Sequence, residues 1–539
     1  MKLIFVVLLV IGCVNGNPHE MRNGSMLAPP ERPYKILMLL PVSTDSHRTV
    51  FLSLAKGLAD RGHKVVMLTN NDGDRIITEN LYEFTHGIEE LHQFNSDTLV
   101  DLKGGVRGNI DKLLPVFDVA ADKLYANAEI NELYRKRTRF DIIIIHAGQN
   151  EVMLPFVHEL PFITIAPKGL DYRHSSQMGN PLNPAYVPFV YSTMTFPMSL
   201  LQRLRNAWYH LVFSLCWDVF MILPNFQKKL WSKFPNLPPL SDIERNQSLT
   251  LTNSHFSLGS AVPLLPSQVE VACMQCRSLL EPLPNDLQEW IDGSGTEGVI
   301  YVNIGSFSSS SSKDEQFLKI LLEAFNRIHQ RIIWRYEEIV PNLPMNVMIM
   351  NGGPQQDILG HPKVKAFLTH GGLLSFQEAV YHGKQLFALP STLDQTKNSK
   401  AIVDKGIGVS VPLDEVTSAD QIVDGILDLI QDNKKYKKNM AKLSYSFRDQ
   451  IHTPLDRAIY WTEYIIRNPG AAALKSPSAQ LSWTKFLLLD ILAIFLVIIF
   501  LIHFLVSCIV KRFMIFLRRK YCRRNDLFSL PLSAKQKIN

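Results

Sequence analysis

A chain of 539 residues is longer than one hydrophobic core usually organises, so two globular domains are expected. Hydrophobic residues make up 46% of it, which excludes a disordered chain and points to a part held in lipid. The formal charge of +6 gathers near the C-terminus in Lys511, Arg512, Arg518, Arg519, Lys520, Arg523 and Arg524. That placement reads as membrane orientation and excludes nucleic acid as the expected partner.

The chain opens with Lys2, an apolar run over 3–10 and the short residues Val14-Asn15-Gly16. This is the pattern of a signal peptide over 1–16, too short to span a bilayer. Residues 35–40 read as a strand, followed by a loop and a helix with apolar positions Val50, Phe51, Leu54, Ala55 and Leu58. Gly62 stops that helix and 65–68 is the next strand, completing a βαβ unit. The continuous apolar runs 140–145 and 161–165 are of the kind a parallel sheet buries on both faces. Residues 17–265 therefore form a first α/β domain.

A proline-rich stretch without periodicity follows, and 266–285 is read as a linker. It contains Cys273-Met274-Gln275-Cys276; without a second ligand pair for zinc, these read as thiols or one local disulfide. The α/β pattern restarts over 286–475, with strands at 299–304, 366–368 and 386–389 and a helix at 315–327. Two such doubly wound sheets facing each other place a ligand cleft at the carboxyl ends of their strands. Residues 486–510 are long and apolar enough to cross a bilayer, with Trp483 as an interfacial anchor. The basic tail 511–539 is then cytoplasmic and the body luminal, and the endoplasmic reticulum is the expected membrane. Sequons at Asn23-Gly24-Ser25 and Asn246-Gln247-Ser248 agree with a luminal body.

The densest chemistry lies between Gly352 and Gln395. A strand ends near Leu368 and a helix begins near Gly372, so free N–H groups and the positive helix end face the cleft. Glycines at 371 and 372 let the backbone approach a diphosphate, and His370 adds a donor. Glu378 is placed to accept ribose hydroxyls, and Asp394 and Gln395, read as loop residues, to bind the hydroxyls of a sugar.

Thr369-His370-Gly371-Gly372 with Ser375, Glu378, Asp394 and Gln395 closely resembles the nucleotide-sugar signature of the family 1 UDP-glycosyltransferases, in their invertebrate form. The resemblance covers nearly the whole chain. It implies a GT-B fold: two facing Rossmann-like domains with a cleft between them, plus a C-terminal single-pass transmembrane helix. UDP-sugar would sit on the second domain as a co-substrate, without metal or cofactor, and a small lipophilic acceptor on the first. Ser306 matches a family position near the phosphates and Gln355 one near the uracil. His47 stands where the family has its base, at a helix N-terminus whose dipole disfavours imidazolium. The implied reaction moves a hexose, glucose favoured and glucuronate possible, to an acceptor hydroxyl with inversion, a chemistry of detoxification. A homo- or hetero-oligomer is compatible with it. The alternative is a weakened or inactive homologue that binds ligand or partners other transferases.

Two other patterns carry less. Asp72-Gly73-Asp74 resembles the D-x-D of metal-using transferases but suits a turn. Gly293 to Gly298 spells G-x-G-x-x-G ahead of a strand, so it is a loop and not a dinucleotide fingerprint. Three departures from the family stand out. His146 replaces the aspartate that usually orients the base, Gly352 replaces a tryptophan that stacks on uracil, and Lys384-Gln385 and Leu374 replace valine-proline and asparagine.

Overall fold

The computed structural model describes residues 27–70, 75–92, 105–148, 151–305, 312–430 and 434–528. The expected signal peptide, the sequon at Asn23, Asp72-Gly73-Asp74, Ser306 and the end of the tail lie outside the described residues.

Thirteen strands build two wholly parallel sheets among these residues. The first contains β1 (Lys35–Leu39), β2 (Lys64–Thr69), β3 (Leu81–Thr85), β4 (Ile142–His146), β5 (Phe162–Ala166), β6 (Leu249–Thr252) and β7 (Gln268–Glu270), in the spatial order 3-2-1-4-5-6-7. The second contains β8 (Val299–Asn303), β9 (Arg331–Arg335), β10 (Val347–Met350), β11 (Val364–Thr369), β12 (Gln385–Ala388) and β13 (Gly408–Ser410), in the order 10-9-8-11-12-13. The helices that shape the site and its supports are α1 (Asp45–Asp60), α2 (Leu200–Leu215), α3 (Gln355–Gly360), α4 (Leu373–Tyr381), α5 (Leu393–Asp404), α6 (Pro454–Arg467) and α7 (Leu489–Phe528).

The central strands are those whose apolar runs announced them. All five residues of β4 are buried, because helices cover both faces of the sheet and β-branched side chains fit its pleat. In α1 the expected positions Val50, Phe51, Leu54, Ala55 and Leu58 are buried, Thr44 caps the start, and Gly62 at φ +85° turns the chain toward β2. The short strands β3, β6, β7, β9, β10 and β13 were not expected, since segments such as Leu249–Thr252 and Gln268–Glu270 are too brief to show a period. One of them, β7, lies inside the stretch read as linker and pairs with β6 at the sheet edge.

After the second sheet the chain returns to the first. Helix α6 lays Ala458, Ile459 and Ile465 into the core that contains Val50, Leu54 and Leu58 of α1. Gly57 permits this approach: a Cβ there would stand 2.9 Å from Ile459 Cδ1. The contact is pinned by a buried carboxylate. Glu463 accepts from Arg61 Nε at 2.6 Å and from His63 Nε2 at 3.0 Å, while His63 Nδ1 accepts the Tyr34 amide at 3.1 Å. Burial raises the pKa of Glu463, but the Arg61 and His63 bonds outweigh it and hold the group below the usual carboxylate range.

Residues 477–539 form a separate unit. Within Leu489–Tyr521 of its helix α7, eighteen consecutive residues have a mean hydropathy of 3.1, long and apolar enough to cross a bilayer. The helix runs on through the basic cluster, so it is longer than the apolar segment 486–510.

Glu463→Ala leaves Arg61 and His63 without their buried anion and is expected to destabilise the body by about 3 kcal/mol. A thermal denaturation midpoint several degrees lower than that of the unaltered chain would register it. Because the folded pKa is lowered, this stabilisation is present above the unfolded carboxylate pKa of about 4.3 and is lost as pH falls through the folded value.

Candidate active site

In each sheet the strand order reverses direction at one pair of central strands, and a parallel α/β sheet opens a crevice there, outside the carboxyl ends. The reversal falls between β1 and β4 in the first sheet and between β8 and β11 in the second. Every expected site residue that the structure describes follows one of these four strands, or β12 beside β11, or the edge strand β10.

Strands β1 and β4 run in parallel register with Leu39 opposite Ile145. The loop after β1 therefore lies beside the end of β4. His47 is the third residue of α1 and His146 is the last of β4, and their side chains meet: His47 Nδ1 is 2.9 Å from His146 Nε2. The other nitrogen of His146, Nδ1, is 2.7 Å from the Gly148 carbonyl. Phe51, one turn beyond His47 on the same face of α1, stacks on the His146 ring with planes 6° apart. Both imidazoles are buried. Burial, then His146 and Lys168, push the His47 pKa well below its ordinary value, and burial lowers His146 to about 4. The neutrality expected from the helix dipole thus comes mainly from desolvation.

Among the described residues no acid replaces the family aspartate beside His47. Asp141 stands at the opposite end of β4, paired with Arg32 at 2.7 Å and accepting the Lys35 amide at 2.7 Å. The position next to His47 belongs to the ring of His146.

On the second sheet, Thr369 of β11 pairs in register with Asn303 of β8. His370 follows β11 with Nδ1 3.4 Å from the Asn303 carbonyl, and Gly372 caps α4 with no side-chain bond to the first-turn amides. Those amides are free to face an anion. Gly371 is required by geometry: it sits at φ +85°, and a Cβ would meet Ser399 Oγ at 2.7 Å. Asn398 Nδ2 holds the Gly371 carbonyl at 2.9 Å.

Gln355 opens α3 at the centre of a polar network. Its carbonyl accepts from Asn303 Nδ2 at 2.7 Å and Tyr301 at 3.3 Å, and its amide donates to Glu378 at 2.7 Å and Ser375 at 3.4 Å. The second Glu378 oxygen accepts from Gln275 Nε2 at 3.1 Å. Gln275 is held in place by the Cys273–Cys276 disulfide around it, which decides between the two sequence readings of that pair. Burial raises the Glu378 pKa. Each carboxylate oxygen keeps lone-pair capacity beyond its one glutamine donor.

Asp394 and Gln395 are not on a loop but in the first turn of α5, because Thr392 and Gln395 form a capping box. Gln395 Oε1 accepts from Ser391 N at 2.9 Å and Ser391 Oγ at 3.1 Å, so its carbonyl oxygen is committed to the turn. Burial raises the pKa of Tyr191; Lys168 opposes it, Asp171 adds to it, and Asp394 adds a smaller share, so Asp394 also acts electrostatically on this ring. Lys168 in turn lies over the Tyr191 ring at 6.0 Å and acts on His47, so one chain of groups links the two halves of the cleft.

The family departures have structural explanations. Leu374 packs against the core of the first sheet, and its neighbour Gln377 donates to the Asn253 carbonyl at 3.2 Å, so both fasten the two halves. Lys384 donates to the carbonyls of His361 at 2.9 Å and Val364 at 3.0 Å, and burial lowers its pKa to about 8. Gly352 adopts φ +79° with nothing within 4 Å of an added Cβ, so the position that carries tryptophan in the family pattern opens onto free space here. His146, Asn303, Gln275 and Tyr191 were not expected as site residues. Asn303 had a legible signal, being a polar residue at the end of a buried central strand.

Two facing parallel sheets with a glycine-opened helix N-terminus on one side of the cleft and a neutral histidine on the other define a GT-B glycosyltransferase. The calicheamicin glycosyltransferase CalG4 has the same fold, with a TM-score of 0.54 over 81% of this chain and 100% of that one at 16% identity. The family described as UDP-glucoronosyl and UDP-glucosyl transferase matches residues 37–524, and the chain belongs to it. UDP-glucosyltransferase 2 of Dactylopius coccus is 31% identical over 487 residues, covering 88% of this chain and 92% of that one. The 2-hydroxyacylsphingosine 1-beta-galactosyltransferase of Homo sapiens is 30% identical, covering 88% of each. The protein is thus an enzyme that transfers a sugar from a UDP-sugar.

Glu378→Ala removes the acceptor for Gln355 and Gln275 together with the one expected for ribose. Loss of a charge-assisted bond of about 1.5–3 kcal/mol predicts UDP binding weaker by roughly 10- to 100-fold. Calorimetric titration of UDP checks it, with unchanged affinity counting against this placement of the nucleoside.

Proposed function

We propose that the protein transfers a hexosyl group, glucose in preference to glucuronate, from its UDP-sugar to a hydroxyl of a small lipophilic acceptor, with inversion and with His47 as the base. The observation that carries this reading is the His47 imidazole, buried at the cleft and kept neutral, with Nδ1 engaged and no hydrogen-bond partner at Nε2 among the described residues. Nε2 takes the proton of the acceptor hydroxyl, the oxygen attacks the anomeric carbon, and the bond from that carbon to the diphosphate breaks with its electron pair leaving on UDP. Attack from the face opposite the leaving group inverts the centre. The first-turn amides of α4 and His370 supply donors to the departing diphosphate. Ser306, which lies outside the described residues, remains assigned to the phosphates by its place in the family pattern.

Glucose is favoured because the Dactylopius coccus relative is named a glucosyltransferase, and a lipophilic acceptor because the human relative is named for a sphingosine derivative. The exposed apolar face of α2, with Leu200, Leu201, Leu204 and Trp208, supports work close to lipid. We read α7 as a membrane anchor, with the basic tail on the cytoplasmic side and the body in the lumen of the endoplasmic reticulum.

Incubating the full chain with labelled UDP-glucose or UDP-glucuronate and a panel of phenols, steroids and sphingoid alcohols should yield a β-glycoside. His47→Ala should lower kcat by about 10²–10⁴-fold while leaving UDP binding intact. Absence of any glycoside from the unaltered enzyme would sink the proposal and favour the ligand-binding homologue. Since the His47 pKa is lowered, kcat/KM should hold as pH falls through 6.5 and decline only at lower values. The same shift costs stability, because below about pH 6.5 the unfolded imidazoles take protons that the folded ones refuse.

A further inference from the structure

The two histidines admit only one arrangement of protons when both rings are neutral. A carbonyl oxygen can only accept, so His146 Nδ1, at 2.7 Å from the Gly148 carbonyl, carries its hydrogen. A neutral imidazole has one N–H, so His146 Nε2 is a bare acceptor. His47 Nδ1, 2.9 Å away, must then be the donor, which leaves its own Nε2 bare. The alternative tautomer of His47 would set two lone pairs against each other at that distance.

We propose that His146 is the positioning residue of the transfer: it hands the direction of the Gly148 carbonyl through its ring to His47, and so keeps His47 Nε2 as the unprotonated atom facing the cleft. The inference rests on the role of His47 given above. It assigns a neutral imidazole to the task for which the family pattern has an aspartate. Phe51 completes the device by stacking on His146, so α1 carries both the base and the ring that holds the base's partner in plane.

A neutral partner changes the chemistry in a definite way. A carboxylate would stabilise the imidazolium formed during transfer and raise the basicity of His47. His146 does neither by charge. It can instead share the proton: as His47 Nε2 takes the acceptor's proton, the Nδ1 proton can move to His146 Nε2, and the positive charge then lies on the ring that donates to Gly148. The charged and titratable groups facing the pair reinforce neutrality. Lys168 acts on both rings and His174 on His146. Glu151 and Glu244 line the cavity behind His146, but Arg173 is bound between them, 3.9 Å from Glu151 and 2.6 Å from Glu244, and Glu244 has its pKa raised to about 7 by burial.

The test compares His146→Leu, His146→Gln and His146→Asp in the full chain, with kcat, KM, UDP affinity and the pH profile of kcat/KM. Leu fills the space without an acceptor and should lower kcat by about 10²-fold or more, with KM for the UDP-sugar unchanged. Gln, which can place its carbonyl oxygen near the Nε2 position, should recover much of that loss. Asp adds an anion, so the acidic limb of the profile should move to higher pH. If Leu turns over like the unaltered enzyme, or if Leu and Gln are equally impaired with UDP binding intact, His146 is only a packing residue and the inference is wrong. Magic-angle-spinning NMR of 15N-histidine in the bilayer-embedded chain gives a readout that needs no turnover. His47 should show a protonated Nδ1 and bare Nε2, and His146→Leu should release that preference; the opposite tautomer in the unaltered chain overturns the inference. No glycoside from any variant, together with the expected tautomer, would instead count against the functional reading.

Discussion

The site depends on the parallel pairing of one central strand couple in each sheet. Where β1 runs beside β4 and β8 beside β11, the connections leave toward opposite sides and the carboxyl ends stand open. Crossover connections of a parallel sheet return every strand in the same direction, so all following loops collect at that edge. His47 and His146, 99 residues apart, become hydrogen-bonded neighbours for this reason. So do Asn303, Gln355 and Glu378 on the other side.

The two walls of the cleft use different physics. The second-sheet wall is built for a polar anion: uncapped amides at the start of α4, glycines that clear the backbone, and an amide–carboxylate network whose oxygens retain acceptor capacity. The first-sheet wall is built to keep charge out, with buried neutral imidazoles whose pKa values fall through desolvation. The proposed transfer uses both, a donor-rich surface where negative charge would develop and a dry imidazole that would take the acceptor's proton. Attachment between the walls comes from Leu374, Gln377 and the return of α6, which ties the end of the second half to the first core through Glu463.

The departures from the family pattern gain meaning from this frame. The Leu374 side chain serves packing and Lys384 serves carbonyl satisfaction. Gly352 opens space, and His146 puts a neutral imidazole beside His47 where the family pattern has a charged partner.

Sequence alone determined the features that rest on local signals. Continuous β-branched runs announced the central strands, helical periodicity announced α1, and the glycines after β11 announced an uncapped helix start, because each depends on residues within one or two turns. A long apolar segment before a basic cluster was legible for the same reason. The short edge strands were not, since three or four residues carry no period. Neither was the turn that commits the Gln395 carbonyl, which needs the capping geometry of Thr392 to be seen. Tertiary structure alone decided what stands next to His47. The sequence showed an aspartate missing at position 146; only the register of β1 against β4 put the replacing imidazole 2.9 Å from His47 and its other nitrogen on the Gly148 carbonyl. Contacts between residues far apart in the chain are set by strand pairing, and that is written in the packing of the whole sheet and not in any one segment.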